Sequence, residues 1–233
     1  MISKVIVNFS IILSVTTALA GGPPQISKSS RTQGPNALTQ LQTVLNDYNK
    51  NQGLESRVEK KVYLSLLEET RTSRGRLYYS QKKMRLELSG EEKSVIVMLP
   101  DVIWVEVSDT SGSLKPQVSK ITAKSLKQQS RSPIALLFAR NSILKEFNLK
   151  SETQEGAVYK VSLQPQRPQN FLDLQSLYVE FDSEKKVLLL IQYEDENANR
   201  TTFQFSDIEK NKSLDKKVFQ YKPPTNADVS VYN

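Results

Sequence analysis

The chain has 233 residues, 38% of them hydrophobic and 24% charged, an ordinary balance for a water-soluble domain. It contains no cysteine and no histidine, which removes disulfides, thiolate nucleophiles, histidine bases and Cys/His zinc ligands together. Its 32 basic and 25 acidic side chains leave a formal charge of +7, spread along the chain. That spread reads as a solvated surface with a slight lysine excess, or as a weak attraction to anionic lipid headgroups.

Residues 1–20 read as a cleaved export signal. Lys4 is the charged start, residues 5–13 form the apolar stretch, and Ala18-Leu19-Ala20 is a small-x-small cleavage site. The apolar stretch is too short for a permanent membrane span. Cleavage is expected after Ala20, with export to a bacterial periplasm, and no cysteine follows that would carry a lipid anchor. Residues 21–35 (GGPPQISKSSRTQGP) are rich in Gly, Pro and Ser and are expected to be a disordered leader. Residues 36–233 are then expected to form one domain.

In residues 36–51, Leu38, Leu41, Leu45 and Tyr48 recur at three- and four-residue steps, the apolar stripe of an amphipathic helix. Pro35 suits its first turn and Gly53 its stop. From Leu54 the period switches to two. Residues 54–70 read as one long strand, followed by strands at 75–80, 84–89, 93–99 and 102–107, all joined by short turns as a meander. Residues 120–129 and 133–143 break that rhythm and read as two short helices, with Pro133 at a helix start and Ile134, Leu137 and Phe138 at helical spacing. They are expected to cover the sheet. Strands resume at 144–151 and 157–164, then at 175–182, 187–194 and 200–208, with a last short strand at 217–221 and an end to regular structure at Pro223-Pro224. Connections this short imply antiparallel pairing, because parallel strands need a long crossover.

Signs of catalysis are thin. The chain has no glycine-rich phosphate loop, nucleophile elbow or metal-ligand cluster. Asp195, Glu196 and Asp207 sit in or beside hairpin turns, where acidic residues are expected anyway. Tyr78-Tyr79 near Lys82, Lys83 and Arg85 resembles the aromatic and basic mix of nucleic-acid binders, yet adjacent strand residues point to opposite faces. The reading is therefore non-enzymatic, with no cofactor, no metal and no nucleic acid expected. A better clue is apolar surplus. In residues 95–99 both faces are apolar, and by alternation Val187, Leu189 and Ile191 share one face while Leu188 and Leu190 share the other. Either helices cover the second face, or part of it lines a cavity for an apolar ligand.

Residues 195–224 (DENANRTTFQFSDIEKNKSLDKKVFQYKPP) resemble the C-terminal signature of the outer-membrane lipoprotein carrier family LolA, a D-x-x-x-N-x-T-x-F turn and strand followed by F-x-[FY]-x-P-P. Gly75–Tyr79 (GRLYY), Lys83–Leu88 (KMRLEL), Val95–Trp104 and Ser132–Phe138 (SPIALLF) fall in that family's order. The similarity spans roughly residues 36–230. The chain departs from the family pattern at Ser80-Gln81-Lys82, where an Arg-Pro pair is common, at Leu99-Pro100-Asp101 and at Leu86. The family's arginine-based lid lock is therefore not carried over.

The resemblance implies a mainly β fold with some α: an incomplete antiparallel β-barrel of about 11 strands with a helical lid. It implies a periplasmic carrier that binds acyl chains of lipoproteins released from the inner membrane and delivers them to the outer membrane. A periplasmic lipid- or lipoprotein-sensing module of the same fold is the alternative. Expected partners are acylated lipoproteins, an inner-membrane LolCDE-type ABC transporter, and a LolB-like receptor or the outer membrane itself. The protein is expected to be a monomer. Expected cavity or lid residues are Leu66, Tyr79, Met84, Leu86, Leu88 and Val97. Trp104, Leu137, Phe138, Leu189 and Phe203 complete that set.

Overall fold

Alternating side chains dominate the chain from Leu54 onward, and they build one sheet. The computed structural model describes residues 36–50, 52–109, 111, 113–122, 137–138, 143–168, 171 and 174–232. The expected export signal and leader, and most of the two expected central helices, lie outside these residues. Twelve strands form a single open sheet: β1 (Leu54–Leu64), β2 (Glu69–Ser80), β3 (Lys83–Gly90), β4 (Glu92–Met98), β5 (Val102–Asp109), β6 (Gln117–Thr122), β7 (Phe147–Glu155), β8 (Val158–Pro165), β9 (Leu174–Asp182), β10 (Val187–Asp195), β11 (Arg200–Lys210) and β12 (Asp228–Tyr232). Their spatial order is β12-β6-β5-β4-β3-β2-β1-β11-β10-β9-β8-β7, so β12 and β7 are its two edges and the barrel is incomplete. Neighbours pair antiparallel, except that β12 runs parallel to β6.

Helix α1 (Ala37–Lys50) lies on one face of the sheet. Its cap is Asn36, whose side-chain oxygen accepts the Thr39 N–H at 2.9 Å, satisfying a donor that the first turn leaves open. The apolar stripe buries Ala37, Leu41, Val44, Leu45 and Tyr48. The helix crosses the strands: the Ala37 N–H donates to Glu152 of β7, while Asn49 in the last turn meets Tyr79 of β2. Both halves of the sheet thereby share one continuous core.

Several elements differ from the sequence reading. Residues 54–70 are not one strand, because the chain reverses through a 3-10 turn at Ser65–Leu67 closed by Glu68 in the left-handed region (φ 51°). The turn Ser-Leu-Leu-Glu holds no Gly, Pro or Asn to announce it. The expected strand at 217–221 is instead a 3-10 turn, Lys216–Phe219, capped by Asp215, whose carboxylate accepts the Lys217 N–H. The chain then continues past Pro223-Pro224 to form β12 against β6. Residues 120–122 belong to β6 rather than to a helix. Of the helix expected at 133–143, Leu137 and Phe138 are described and are helical, while Ile143–Glu146 is a 3-10 turn leading into β7.

Candidate functional site

Registers across the sheet define the inner layer. One row runs Leu54, Tyr79, Met84, Met98 and Ile103 across β1 to β5, and the next carries Leu77, Leu86, Ile96 and Val105. A third row holds Val58, Gly75 and Leu88. A Cβ on Gly75 would stand 1.7 Å from the Glu87 carbonyl oxygen, so the close approach of β2 to β3 admits only glycine. In the other half of the sheet, Phe203 faces Ile191, Ile191 faces Val179, and Val179 faces Val161. Tyr159 stacks on Phe181 with centroids 5.3 Å apart.

The cover of this layer is α1 together with Leu137 and Phe138, both buried. Its centre is an aromatic trio. The Tyr79 ring lies 5.2 Å from Phe138 and 5.9 Å from Tyr48, and Tyr48 lies 5.6 Å from Phe138, distances at which edge and tilted pairs attract. The two tyrosine hydroxyls are satisfied inside the layer. Tyr79 donates to the Asn49 side-chain oxygen at 2.7 Å, and Tyr48 accepts the Leu188 N–H at 3.0 Å. That N–H becomes available because the β9–β10 register steps between Leu188 and Leu190, leaving a ladder donor for the helix. Burial pushes the Tyr79 hydroxyl up to about 12 and raises that of Tyr48 further, because ionisation there is unsolvated. At the rim, Lys210 reaches Asp47 of α1 at 2.6 Å.

Of the residues singled out from sequence, Tyr79, Met84, Leu86, Leu88 and Phe203 are buried in this inner layer, and Leu137 and Phe138 cover it. Four fall elsewhere. Leu66 is 94% exposed in the β1–β2 turn, since the chain reverses where a continuous strand was expected. Leu189 is the extra residue of the β10 bulge, which returns Leu188 to the face of Ile191 and breaks the alternation read from sequence. Val97 pairs with Arg85 and Trp104, on the face opposite Met84 and Leu86. Sequence alternation establishes which residues share a face but not which face the helix covers.

That opposite face carries a second, smaller layer. Val95, Val97, Val118 and Phe219 are buried there, outside the main core cluster. The segment after β11 straps across it. The Tyr221 ring sits 5.4 Å from Trp104, and its hydroxyl donates to Glu106 at 2.7 Å. The Lys120 ammonium stands 5.3 Å from the centre of the Trp104 ring, and Arg85 donates to the Gln220 carbonyl at 3.1 Å. Tyr48, Asn49 and Leu188 are the inner-layer residues that sequence reasoning missed as polar anchors; Tyr48 alone carried a signal, as a tyrosine in an otherwise aliphatic stripe.

Clefts on the described surface are lined by charge. One of about 470 Å³ is bounded by Glu55, Arg76, Glu209 and Lys212, whose ions pair with one another: Lys212 and then Arg76 hold the Glu55 carboxyl below its ordinary value. Among the described residues no group of three or more acidic, His or Cys side chains is placed to hold a metal. No helix among them is long and apolar enough to cross a membrane.

An open, almost wholly antiparallel sheet whose apolar inner face is covered by a helix defines an incomplete-barrel fold. Residues 61–222 match the family model described as outer membrane lipoprotein carrier protein LolA, and the chain belongs to that family. An outer-membrane lipoprotein carrier protein of Nitrosospira multiformis is 29% identical over 98 residues, which is 42% of this chain and 46% of that protein. The matched segment thus spans about half of the curated relative. Among solved structures, an uncharacterized conserved protein from Thermus thermophilus is 11% identical, with a TM-score of 0.49 over 84% of this chain and 100% of the other. A LolA superfamily protein from Nitrosomonas europaea is 13% identical, with a TM-score of 0.40 over 78% of this chain and 97% of the other.

Proposed function

We propose that this protein is a periplasmic carrier of acylated lipoproteins. It takes them as they leave an inner-membrane ABC transporter of the LolCDE type, and yields them to a LolB-like receptor or to the outer membrane itself. The observation that carries the reading is the inner apolar layer with its separable cover. Among the described residues, a handful of hydrogen bonds and ion pairs tie α1 to the sheet, so the cover is held chiefly by apolar contact. An acyl chain of about fifteen methylenes gains roughly 12 kcal/mol on leaving water. The six large apolar side chains of the cover (Leu41, Val44, Leu45, Tyr48, Leu137 and Phe138) are worth roughly 9–18 kcal/mol at 1.5–3 each. These magnitudes are comparable. Exchanging cover for acyl chain is therefore close to balanced, the condition a carrier needs in order both to load and to release. Met84, Met98 and the leucines around them are flexible side chains that accommodate chains of varied shape.

No step of this function requires chemistry on the cargo, and the proposal assigns no catalytic residue. The test is native mass spectrometry of protein expressed with its export signal, seeking bound acylated peptide, alongside displacement of a fluorescent fatty acyl probe. Leu137→Glu is expected to lower the unfolding midpoint, because its carboxylate would be buried, and to weaken probe binding at least tenfold under conditions where circular dichroism shows the variant still folded. Unchanged probe binding by the folded variant would make Leu137 plain core and sink the reading.

A further inference from the structure

The open sheet has two edges among the described residues, and they are built differently. Edge strand β7 carries Lys150, Glu152 and Glu155, and its pairing with β8 slips between Leu149 and Ser151. Charges and a bulge blunt an edge against further pairing. Edge strand β12 has the opposite character. Asp228-Val229-Ser230-Val231-Tyr232 pairs with β6 without a slip, and after Asp228 it is uncharged. Its two valines stand in the open, Val229 47% exposed and Val231 53%.

One hydrogen bond fixes the direction of the β12 backbone groups. The Asp228 N–H donates to the Pro116 carbonyl at 2.9 Å. In a parallel ladder a residue turns its N–H and C=O to the same side, and the next residue turns them away. Asp228, Ser230 and Tyr232 therefore turn towards β6, whereas Val229 and Val231 aim two donors and two acceptors at the open edge. Such a row is a template for another strand. The side chains alternate as well. Val229 lies beside Val118 and Val231 beside Lys120 on the outer face, and Ser230 lies beside Ser119 on the inner one.

We infer that β12 is a self-association edge, on which two copies of this chain pair their β12 strands antiparallel about a two-fold axis at Ser230. A two-fold axis brings the same strand from both copies together in opposite directions. Centring at Ser230 sets Val229 opposite the partner's Val231, and Val231 opposite the partner's Val229. Every outward donor and acceptor of both strands is then bonded. Centring at Val229 or Val231 joins only one such residue per copy. The seam becomes a block of four valines continuous with Val118, and β-branched neighbours across strands attract. Asp228 falls opposite the partner's Tyr232, so no charge faces its like. Pairing β12 with β7 of another copy fits worse, since it brings the charges and slip of β7 into the seam. Five residues a side fall short of the roughly 20–30 of a stable complex. The dimer is therefore reversible, and the monomer expected from sequence is its dilute form. The inference does not depend on the inner layer taking acyl chains, since β12 lies outside that layer's core.

The test is sedimentation equilibrium of protein expressed with its export signal, from about 10 μM to about 1 mM. A monomer–dimer equilibrium is expected. It should tighten with added salt, because the seam holds no ion pair and the formal charge of +7 repels a second copy. Val231→Lys is expected to weaken dimerisation about 10-fold, and Val229→Lys/Val231→Lys about 100-fold. Gln154→Lys on the β7 edge is expected to leave it unchanged. The β12 variants should keep the wild-type melting temperature, because the substituted side chains are exposed. A chain without cysteine lets the register be read directly. Ser230→Cys is expected to form a disulfide-linked dimer on copper–phenanthroline oxidation. Asp228→Cys is not, because its copy lies about 13 Å away along the strand. A monomer at every concentration, or a dimer untouched by the double lysine variant, overturns the inference. Cross-linking of Asp228→Cys in preference to Ser230→Cys overturns it too. Absence of acyl-probe binding in wild-type protein that dimerises as described would instead count against the carrier reading alone.

Discussion

Strand β4 is apolar on both faces, and the two faces meet different covers. On the inner side Ile96 and Met98 join a layer closed by α1, Leu137 and Phe138, elements whose contact is mostly side chain on side chain. On the outer side Val95 and Val97 lie beneath the chain's own C-terminal segment, which is continuous with β11 and β12 at its two ends. Its Tyr221 and Gln220 are hydrogen bonded to Glu106 and Arg85. A cover anchored at both ends in the same sheet has little freedom to leave. A cover seated by apolar contact can be exchanged for another apolar body of similar size. The proposed carrier function needs the first layer to open and lets the second stay shut, although the residues of the two look alike in sequence.

The largest effect that sharpens this contrast is expected from Leu86→Ala. Leu86 is fully buried at the centre of the inner layer, and its truncation should cost about 2–5 kcal/mol, read as a lower midpoint in urea. A cost below about 1 kcal/mol would mean that the layer is loosely filled. Trp104→Ala, on the outer face, should cost roughly 2 kcal/mol, less than a fully buried tryptophan because the ring is only half buried. Fluorescent acyl-probe affinity should not change in that variant. A parallel loss of affinity would erase the distinction between the faces.

Smaller effects probe the anchors. Tyr48→Phe removes the acceptor of the Leu188 N–H and should lower stability by about 1 kcal/mol. If the cover must move for loading, the same change should raise acyl-probe affinity, and an unchanged affinity would show that α1 stays seated during binding. The smallest effect is a pH dependence. The Tyr79 hydroxyl is raised from 10.0 to about 12, so the folded state holds that proton more tightly than the unfolded chain. Its contribution is complete below pH 10 and is lost as pH climbs towards 12. Tyr79→Phe should flatten the stability profile in that window, and a profile left unchanged would place the titration elsewhere.

Periodicity alone revealed the helix and most strands, because one buried face imposes a repeat of 3.6 or 2 whatever the partner. Leu41, Leu45 and Tyr48 announced the helix face, and Met84, Leu86 and Leu88 the β3 face, without any knowledge of what covers them. The hairpin reversal at Ser65–Leu67 was illegible because a single serine among leucines is a weak turn signal; Asn199, far along the chain, braces it. The β10 bulge was equally hidden, since Val187 to Ile191 are all apolar and a slip by one leaves the pattern intact.

The sequence by itself determined that two-faced apolar strands would need two covers, since exposed β-branched and leucine side chains on both sides cannot face water. Only the tertiary structure decided which cover goes where. The inner or outer side of a strand is a property of its register with neighbours and of distant segments such as α1 and the C-terminal strap. For that reason Val97 and Trp104 lie beneath Tyr221 and its strap while Met84 lies beneath the helix, a division that no local pattern encodes.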